Sequence, residues 1–346
     1  MTKPLLRALQ GHTSSPAPIW LMRQAGRYLP EYREVRAKAG GFLNLCFDPA
    51  KATEVTLQPI SRYGFDGSIL FSDILIVPHA LGQKVAFEAG EGPKLDPIRS
   101  RAAIPDFDVV KFDKAAAAVY EAVDRIKSAL PAETTFIGFA GAPWTVATYM
   151  VEGAGSKDYA NAKKWFYSEP EGFQALIDRI TEATIHYLST QIQTGVEVVQ
   201  LFDSWAGALS ADDFRRWVIE PNRKIVAALK ERFPATPVIC FPRGAGLMYE
   251  EFINIVQSDG LGLDTTVPVD WAARVLQPKA CVQGNLDPLA LVAGGKALDE
   301  AVDRICDSLA GKPFIFNLGH GILQETPPEH VGHLVKRVRE RTASGR

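Results

Sequence analysis

Ile19-Trp20-Leu21-Met22-Arg23-Gln24-Ala25-Gly26-Arg27-Tyr28-Leu29-Pro30-Glu31-Tyr32-Arg33 is the stretch on which the reading of the whole chain turns. Its first four residues are an apolar, strand-like run. An open dinucleotide-binding sheet would place a glycine-rich phosphate fingerprint after its first strand; here two arginines stand there, four residues apart, with a glycine between them. Arginine stays charged at any working pH, and its planar fork suits bidentate capture of carboxylate or phosphate. Two arginines so spaced are also what a solvated helix face presents. Their place directly after a strand run, with Gly26 letting the backbone approach a ligand, favours an anion site.

Seven more strand-like runs follow, starting near Gly67, Phe136, Val196, Pro237, Gly260, Lys279 and Pro313, the plainest being Val196-Glu197-Val198-Val199-Gln200-Leu201-Phe202. Helical patterns separate them. One starts at Asp48-Pro49-Ala50, with Asp48 as N-cap, and reaches about Tyr63. Others cover Lys111 to Leu130, Pro170 to Thr194, Ala211 to about Phe233, Gly246 to Ser258, Val269 to Leu276, Leu298 to Leu309 and Pro327 to Arg341. The cluster Lys336, Arg337, Arg339 and Arg341 complements the dipole of that closing helix. Continuous apolar strands alternating with helices predict a parallel sheet buried on both faces, and eight such units predict a closed barrel. The expected fold is a single α/β domain over residues 1–346, a (β/α)8 TIM barrel whose loop insertions form a deep cleft at the C-terminal mouth. The largest insertion, Val77 to Asp108, is rich in Gly and Pro, with a hairpin expected around Val85-Ala86-Phe87.

With 346 residues, 47% hydrophobic and 23% charged, and a formal net charge of −2, the composition suggests neither nucleic acid nor membrane as partner. Cys46, Cys240, Cys281 and Cys306 are scattered and read as buried small hydrophobes in a reducing compartment. No apolar run is long enough for a membrane span and the N-terminus has no signal-peptide core, so a cytoplasmic protein is expected.

In a barrel, residues just past the strands converge on one mouth. The chain offers Arg23, Arg27, Ser72, Asp73, Trp144, Tyr149, Asp203, Ser204, Trp205, Arg243, Asp264, Asn285 and His320 there. One histidine and no His or Cys pair at zinc spacing argue against a metal mechanism. Each carboxylate could instead cap the following helix, and Trp144 and Tyr149 could be core aromatics. His320, between two glycines, is placed on irregular backbone.

Five stretches resemble the uroporphyrinogen decarboxylase family, in order: Arg23 to Arg33, Phe71-Ser72-Asp73-Ile74-Leu75, Gly138 to Thr145, Gly284-Asn285-Leu286-Asp287-Pro288 and Asn317-Leu318-Gly319-His320-Gly321. The resemblance implies a cytoplasmic homodimeric (β/α)8 enzyme without cofactor or metal, which turns the four acetate side chains of uroporphyrinogen III into methyls to give coproporphyrinogen III. It implies substrate contacts at Arg23, Gln24, Ala25, Gly26, Arg27, Asp73, Tyr149, Ser204 and His320. Arg23 and Arg27 would hold carboxylates, and Asp73 would face the central pyrrole N–H groups. Ser204 lies where members of the family vary, so it carries over less directly.

The chemistry agrees with this set. A pyrrole protonated at its α-carbon is a cationic electron sink within the substrate itself, so no pyridoxal phosphate or thiamine is required. Ionised Asp73 would stabilise that cation electrostatically. Arg23 is taken as the proton donor, with His320, whose intrinsic pKa lies nearer neutrality, or water as alternatives. A zinc-thiol methyltransferase on a similar barrel and a non-catalytic tetrapyrrole carrier are the competing readings; the first needs clustered His and Cys, the second has no use for Asp73.

Overall fold

In the computed structural model, which describes residues 3–88 and 92–343, seven of the eight strand-like runs form one parallel sheet. In chain order the strands are β1 (Gly67–Ile69), β2 (Val85–Glu88), β3 (Gly92–Leu95), β4 (Thr135–Gly141), β5 (Val198–Asp203), β6 (Val238–Pro242), β7 (Gly260–Gly262), β8 (Cys281–Leu286) and β9 (Phe314–Leu318). The main sheet runs β1-β4-β5-β6-β7-β8-β9, and β2 and β3 form the expected hairpin in the insertion. Residues 89–91 of that insertion lie outside the described residues.

The sheet curls strongly. Between β5 and β8 lie two strands, which in a flat sheet would hold them roughly 14 Å apart. Yet Gln283 Nε2 donates to Gln200 Oε1 at 3.1 Å, and Gln283 Oε1 accepts from Trp20 Nε1 at 2.8 Å. Opposite walls of the curl therefore meet inside it. The helix Pro4–Leu9 lies across the N-terminal end: a Cβ on Gly67 of β1 would stand 2.8 Å from Leu5, and one on Gly260 of β7 2.8 Å from Leu9. Strands β4, β6, β8 and β9 are buried at every position, as a sheet covered on both faces requires.

The eighth run departs from the expectation of an eighth strand. Ile19 makes only a single parallel bridge to Phe316 of β9. Phe316 N donates to Pro18 O at 2.8 Å and Trp20 N to Phe316 O at 3.3 Å, while on the other side Asp66 N donates to Ile19 O at 2.9 Å. Beyond that, side chains take the amides a ladder would use: Leu21 N donates to Gln24 Oε1 at 3.1 Å and Met22 N to Asn317 Oδ1 at 3.0 Å. The run is pinned in extended form without becoming a strand.

The helices follow the sequence signals closely. Asp48 caps Pro49–Tyr63 through Lys51 N at 3.0 Å, and Pro170–Thr194 begins and ends where expected. The helix expected from Ala211 to about Phe233 is interrupted by a π segment, Arg215–Ile219; Pro221, with no N–H to donate back, follows it. Seven helices escaped the sequence reading: Pro4–Leu9, Pro30–Ala39, Phe42–Cys46, Ile76–Ala80, Pro143–Glu152, Ala160–Ser168 and Pro288–Ala293.

One side chain stands in for a strand. Leu70 N donates to Ile137 O at 2.9 Å, so two residues on Phe139 points its N–H and C=O the same way, but β1 has ended. Gln191, fully buried, bonds both groups at 3.0 Å, and Gly138 has no Cβ to obstruct it. Gln191→Leu leaves two buried backbone groups unpaired, and denaturant titration should show a loss of about 2–4 kcal/mol. A loss below about 0.5 kcal/mol would show that the pairing is dispensable.

Candidate active site

Arg23 sits in the left-handed region at φ 62°, an uncommon conformation for a residue with a side chain. The backbone around it is held by the end of β9: besides the Asn317 bond to Met22 N, Ile322 N donates to Met22 O at 2.9 Å. A Cβ on Gly26 would stand 2.9 Å from Arg23 O, so this tight turn needs its glycine. The guanidinium stem of Arg23 lies over Gly321, where an added Cβ would fall 2.7 Å from Cγ and 2.8 Å from Nε. Arg23 and Arg27 are both exposed and form no ion pair among the described residues. The backbone N–H groups of Ala25, Gly26 and Arg27 likewise have no acceptor among the described residues. Unpaired cations and free amides at one turn are what an anion-binding loop presents.

Gln24, expected among the substrate contacts, turns inward instead. It is 0% exposed, and its amide holds Leu21 N and donates to Gly67 O at 3.1 Å. Its side chain fixes the loop and is not presented to a ligand.

Asp73 follows β1 and accepts from Leu75 N at 2.9 Å, so the local turn expected of a post-strand carboxylate is present. Protein surrounds it deeply while part of its surface stays open to the mouth. Burial lifts its carboxyl to about 6, with the Leu75 N–H and the Arg23 charge pulling the other way. Above pH 6 it is mostly ionised. Tyr149, on Pro143–Glu152, is half-buried with its ring 6.2 Å from Trp205; burial and the Asp73 charge raise its phenol. Ser204, half-buried past β5, has no hydrogen-bond partner among the described residues.

His320 follows β9, its ring stacked on Phe241 at 6.5 Å and 27°. Burial, then the charges of Arg23 and Arg243, drive it down to about 3 against the opposing pull of Asp264. His320 is therefore neutral near pH 7, although its intrinsic pKa lies nearer neutrality than that of Arg23. Asp203 and Asp264, offered by the sequence as mouth residues, are structural. Asp203 is 1% exposed and accepts from Thr145 Oγ1 at 2.6 Å and Asn222 Nδ2 at 3.3 Å. Burial also lifts it to about 6, with those bonds opposing. Burial works on Asp264 too, but hydrogen bonds from Thr266, Gly244 and Tyr249 outweigh it and hold the carboxyl low.

The sequence list also missed neighbours. A cleft of about 710 Å³ beside the mouth is lined by Arg27, Arg33, Arg36, Gln324 and Glu325. The i, i+3 spacing of Arg33 and Arg36 on Pro30–Ala39 is the signal that could have found this face. Among the described residues no three His, Cys, Asp or Glu side chains gather as a metal site, and no helix is long and apolar enough to cross a membrane. The four cysteines are buried, and burial raises the thiols of Cys240 and Cys306 to about 12.

Unpaired arginines, free amides and the raised carboxyl of Asp73, which unlike that of Asp203 is partly open, sit past the C-terminal ends of a curled parallel α/β sheet, where enzymes of this class hold their ligands. Residues 1–341 match the family model described as uroporphyrinogen decarboxylase. The chain is 56% identical over 337 residues to a uroporphyrinogen decarboxylase of Rhodospirillum rubrum, covering 97% of each, and 56% identical over 339 residues to one of Sphingopyxis alaskensis, covering 97% and 98%. The chain belongs to the uroporphyrinogen decarboxylase family. Its fold is shared more widely: a methyltransferase from Methanosarcina mazei aligns with a TM-score of 0.81 over 97% of both chains at 19% identity. A B12-independent methionine synthase from Shewanella aligns at 0.56 over 95% of this chain and 97% of the other at 9% identity.

Proposed function

We propose that this chain is a carboxy-lyase that converts uroporphyrinogen III to coproporphyrinogen III, with Asp73 as the central electrostatic group. The observation that carries it is Asp73 held between burial and Arg23 in the same mouth as two unpaired arginines. Uroporphyrinogen carries an acetate and a propionate on each pyrrole, and Arg23, Arg27 and the free amides of residues 25–27 supply donors for such a rim. Tyr149 and Ser204 add hydrogen-bonding hydroxyls, and neutral His320 a ring nitrogen that does not compete for the carboxylates.

For each acetate, a proton adds to the pyrrole α-carbon and gives an iminium-like cation. The C–C bond to the carboxylate breaks, its electron pair flows into the cation, and CO2 leaves. The exocyclic methylene so formed takes a proton to become methyl, and loss of the α-proton restores the pyrrole; the net change is uptake of one proton and release of one CO2. Ionised Asp73 favours the cationic steps. Arg23 acts as donor or holds the proton source in place. The reading extends to a cofactor-independent, cytoplasmic homodimer with residues 1–346 as one domain, in which the Ile19 segment closes the sheet as a (β/α)8 barrel.

Anaerobic incubation with uroporphyrinogen III, followed by oxidation and chromatography, should yield coproporphyrin; recovery of all eight carboxylates would sink the proposal. The kcat/KM profile should fall below about pH 6 as Asp73 gains its proton. An acid limb that persists unchanged in Asp73→Asn would assign it to another group, such as Asp203.

A further inference from the structure

We propose that Arg243 is a third carboxylate-binding cation of this mouth, standing on the far side of His320 from Arg23 and holding a peripheral acid group of the substrate. The inference rests on the polycarboxylate reading above. Arg243 follows the last residue of β6, and its backbone is fixed from three directions. Arg243 N donates to Asp203 O at 3.1 Å, Gly207 N donates to Arg243 O at 3.0 Å, and the next amide, Gly244 N, donates to Asp264 Oδ2 at 2.7 Å. The glycines let the two loops touch: a Cβ on Gly207 would stand 2.5 Å from Gly244 O.

His320 is the hinge of the placement. Its ring stacks on Phe241 of β6, two residues before Arg243, while the Arg23 side chain lies over Gly321, the residue after His320. The electrostatic neighbourhoods close into a circuit. Arg23 acts on Asp73, Tyr149 and His320; Arg243 acts on His320 and Tyr159; Tyr149 acts on Tyr159. Tyr159 and Tyr149 both pack on Trp205, at 5.8 and 6.2 Å. Arg243 thus stands in the same group of interacting side chains as Arg23, Asp73 and Tyr149.

Its charge is uncommitted. Arginines on the outer helices such as Arg125, Arg215 and Arg337 pair with carboxylates at 2.6–2.8 Å. Half-buried Arg243 pairs with none among the described residues, and Asp264 under the same loop is already occupied by Gly244, Tyr249 and Thr266. A half-buried cation without a partner gains by meeting an anion there.

The test is steady-state kinetics of Arg243→Gln and Arg243→Lys with uroporphyrinogen at several salt concentrations, with thermal unfolding as a folding control. In Arg243→Gln, KM should rise about tenfold or more with kcat within about threefold, the pattern of lost substrate binding. The increase of KM with salt should become shallower. Arg243→Lys should recover most of the KM. An unchanged KM in Arg243→Gln, or a fall in kcat alone, overturns the proposal while an active wild type leaves the function standing. A wild type that releases no CO2 overturns both.

Discussion

Asp73→Asn should lower kcat at least ~100-fold while making the folded protein more stable at neutral pH. The activity loss follows from removing the negative charge that faces a developing cation, worth roughly 3 kcal/mol at a preorganised site. The stability gain follows from linkage. The Asp73 carboxyl stands at about 6 in the fold against an ordinary 3.8, a difference of at most about 3 kcal/mol and nearer 1–2 because water reaches part of the group. Since the folded value is the higher one, the stabilisation is fully present below pH 3.8 and lost as pH rises through 6. At pH 7 the wild type bears the whole penalty and the asparagine variant none, so the Tm gap should be about 1–3 °C at pH 7. The gap should close towards pH 4. Calorimetry at both pH values beside turnover measurements checks the pair; full activity, or a Tm gap independent of pH, would remove Asp73 from its role.

Gly321→Ala should cost kcat/KM about 30–100-fold without replacing any titrating or substrate-binding side chain. The added Cβ would fall 2.7 Å from Arg23 Cγ and closer still to Cδ, on a flexible side chain and not on backbone. The fold can therefore accommodate the methyl by pushing Arg23 aside, and stability should change by less than about 1 kcal/mol. Arg23 is the charge that holds the Asp73 carboxyl down against burial. Its displacement should move the acid limb of the pH profile upward from about 6 as well as lower its height. Loss of activity with an unmoved limb would mean that the methyl acts by packing alone.

These two effects show which properties were legible in the chain as written. Post-strand carboxylates looked alike in sequence, yet Asp203 and Asp264 are tied into hydrogen bonds from Thr145, Asn222, Gly244 and Tyr249, some of them up to 58 residues distant. Asp73 has one amide donor and an open side. His320 looked like the better acid until its burial and its two arginine neighbours were in view. Gln24 was a substrate contact by family resemblance, but its side-chain amide is buried against Gly67 O. Arg243 was already legible as a post-strand residue of the mouth, whereas Gly321 carried no local signal of its role, since it acts through Arg23, brought close by folding.

By itself the sequence determined the alternation of strands and helices, because a chain buried on both faces must write its strands as continuous apolar runs, and prolines and Asp48 mark helix starts at short range. It also determined the residue types at the mouth, because strand ends in a parallel sheet all face one way. Only the tertiary structure decided that the Ile19 run makes a single bridge to β9 and no longer ladder, for the amides beyond it are claimed by Gln24 and by Asn317 from the far end of the chain. Only it decided the protonation of the site. Charge depends on burial and on neighbours within a few ångströms, and those neighbours are set by the curl of the sheet, not by spacing along the chain.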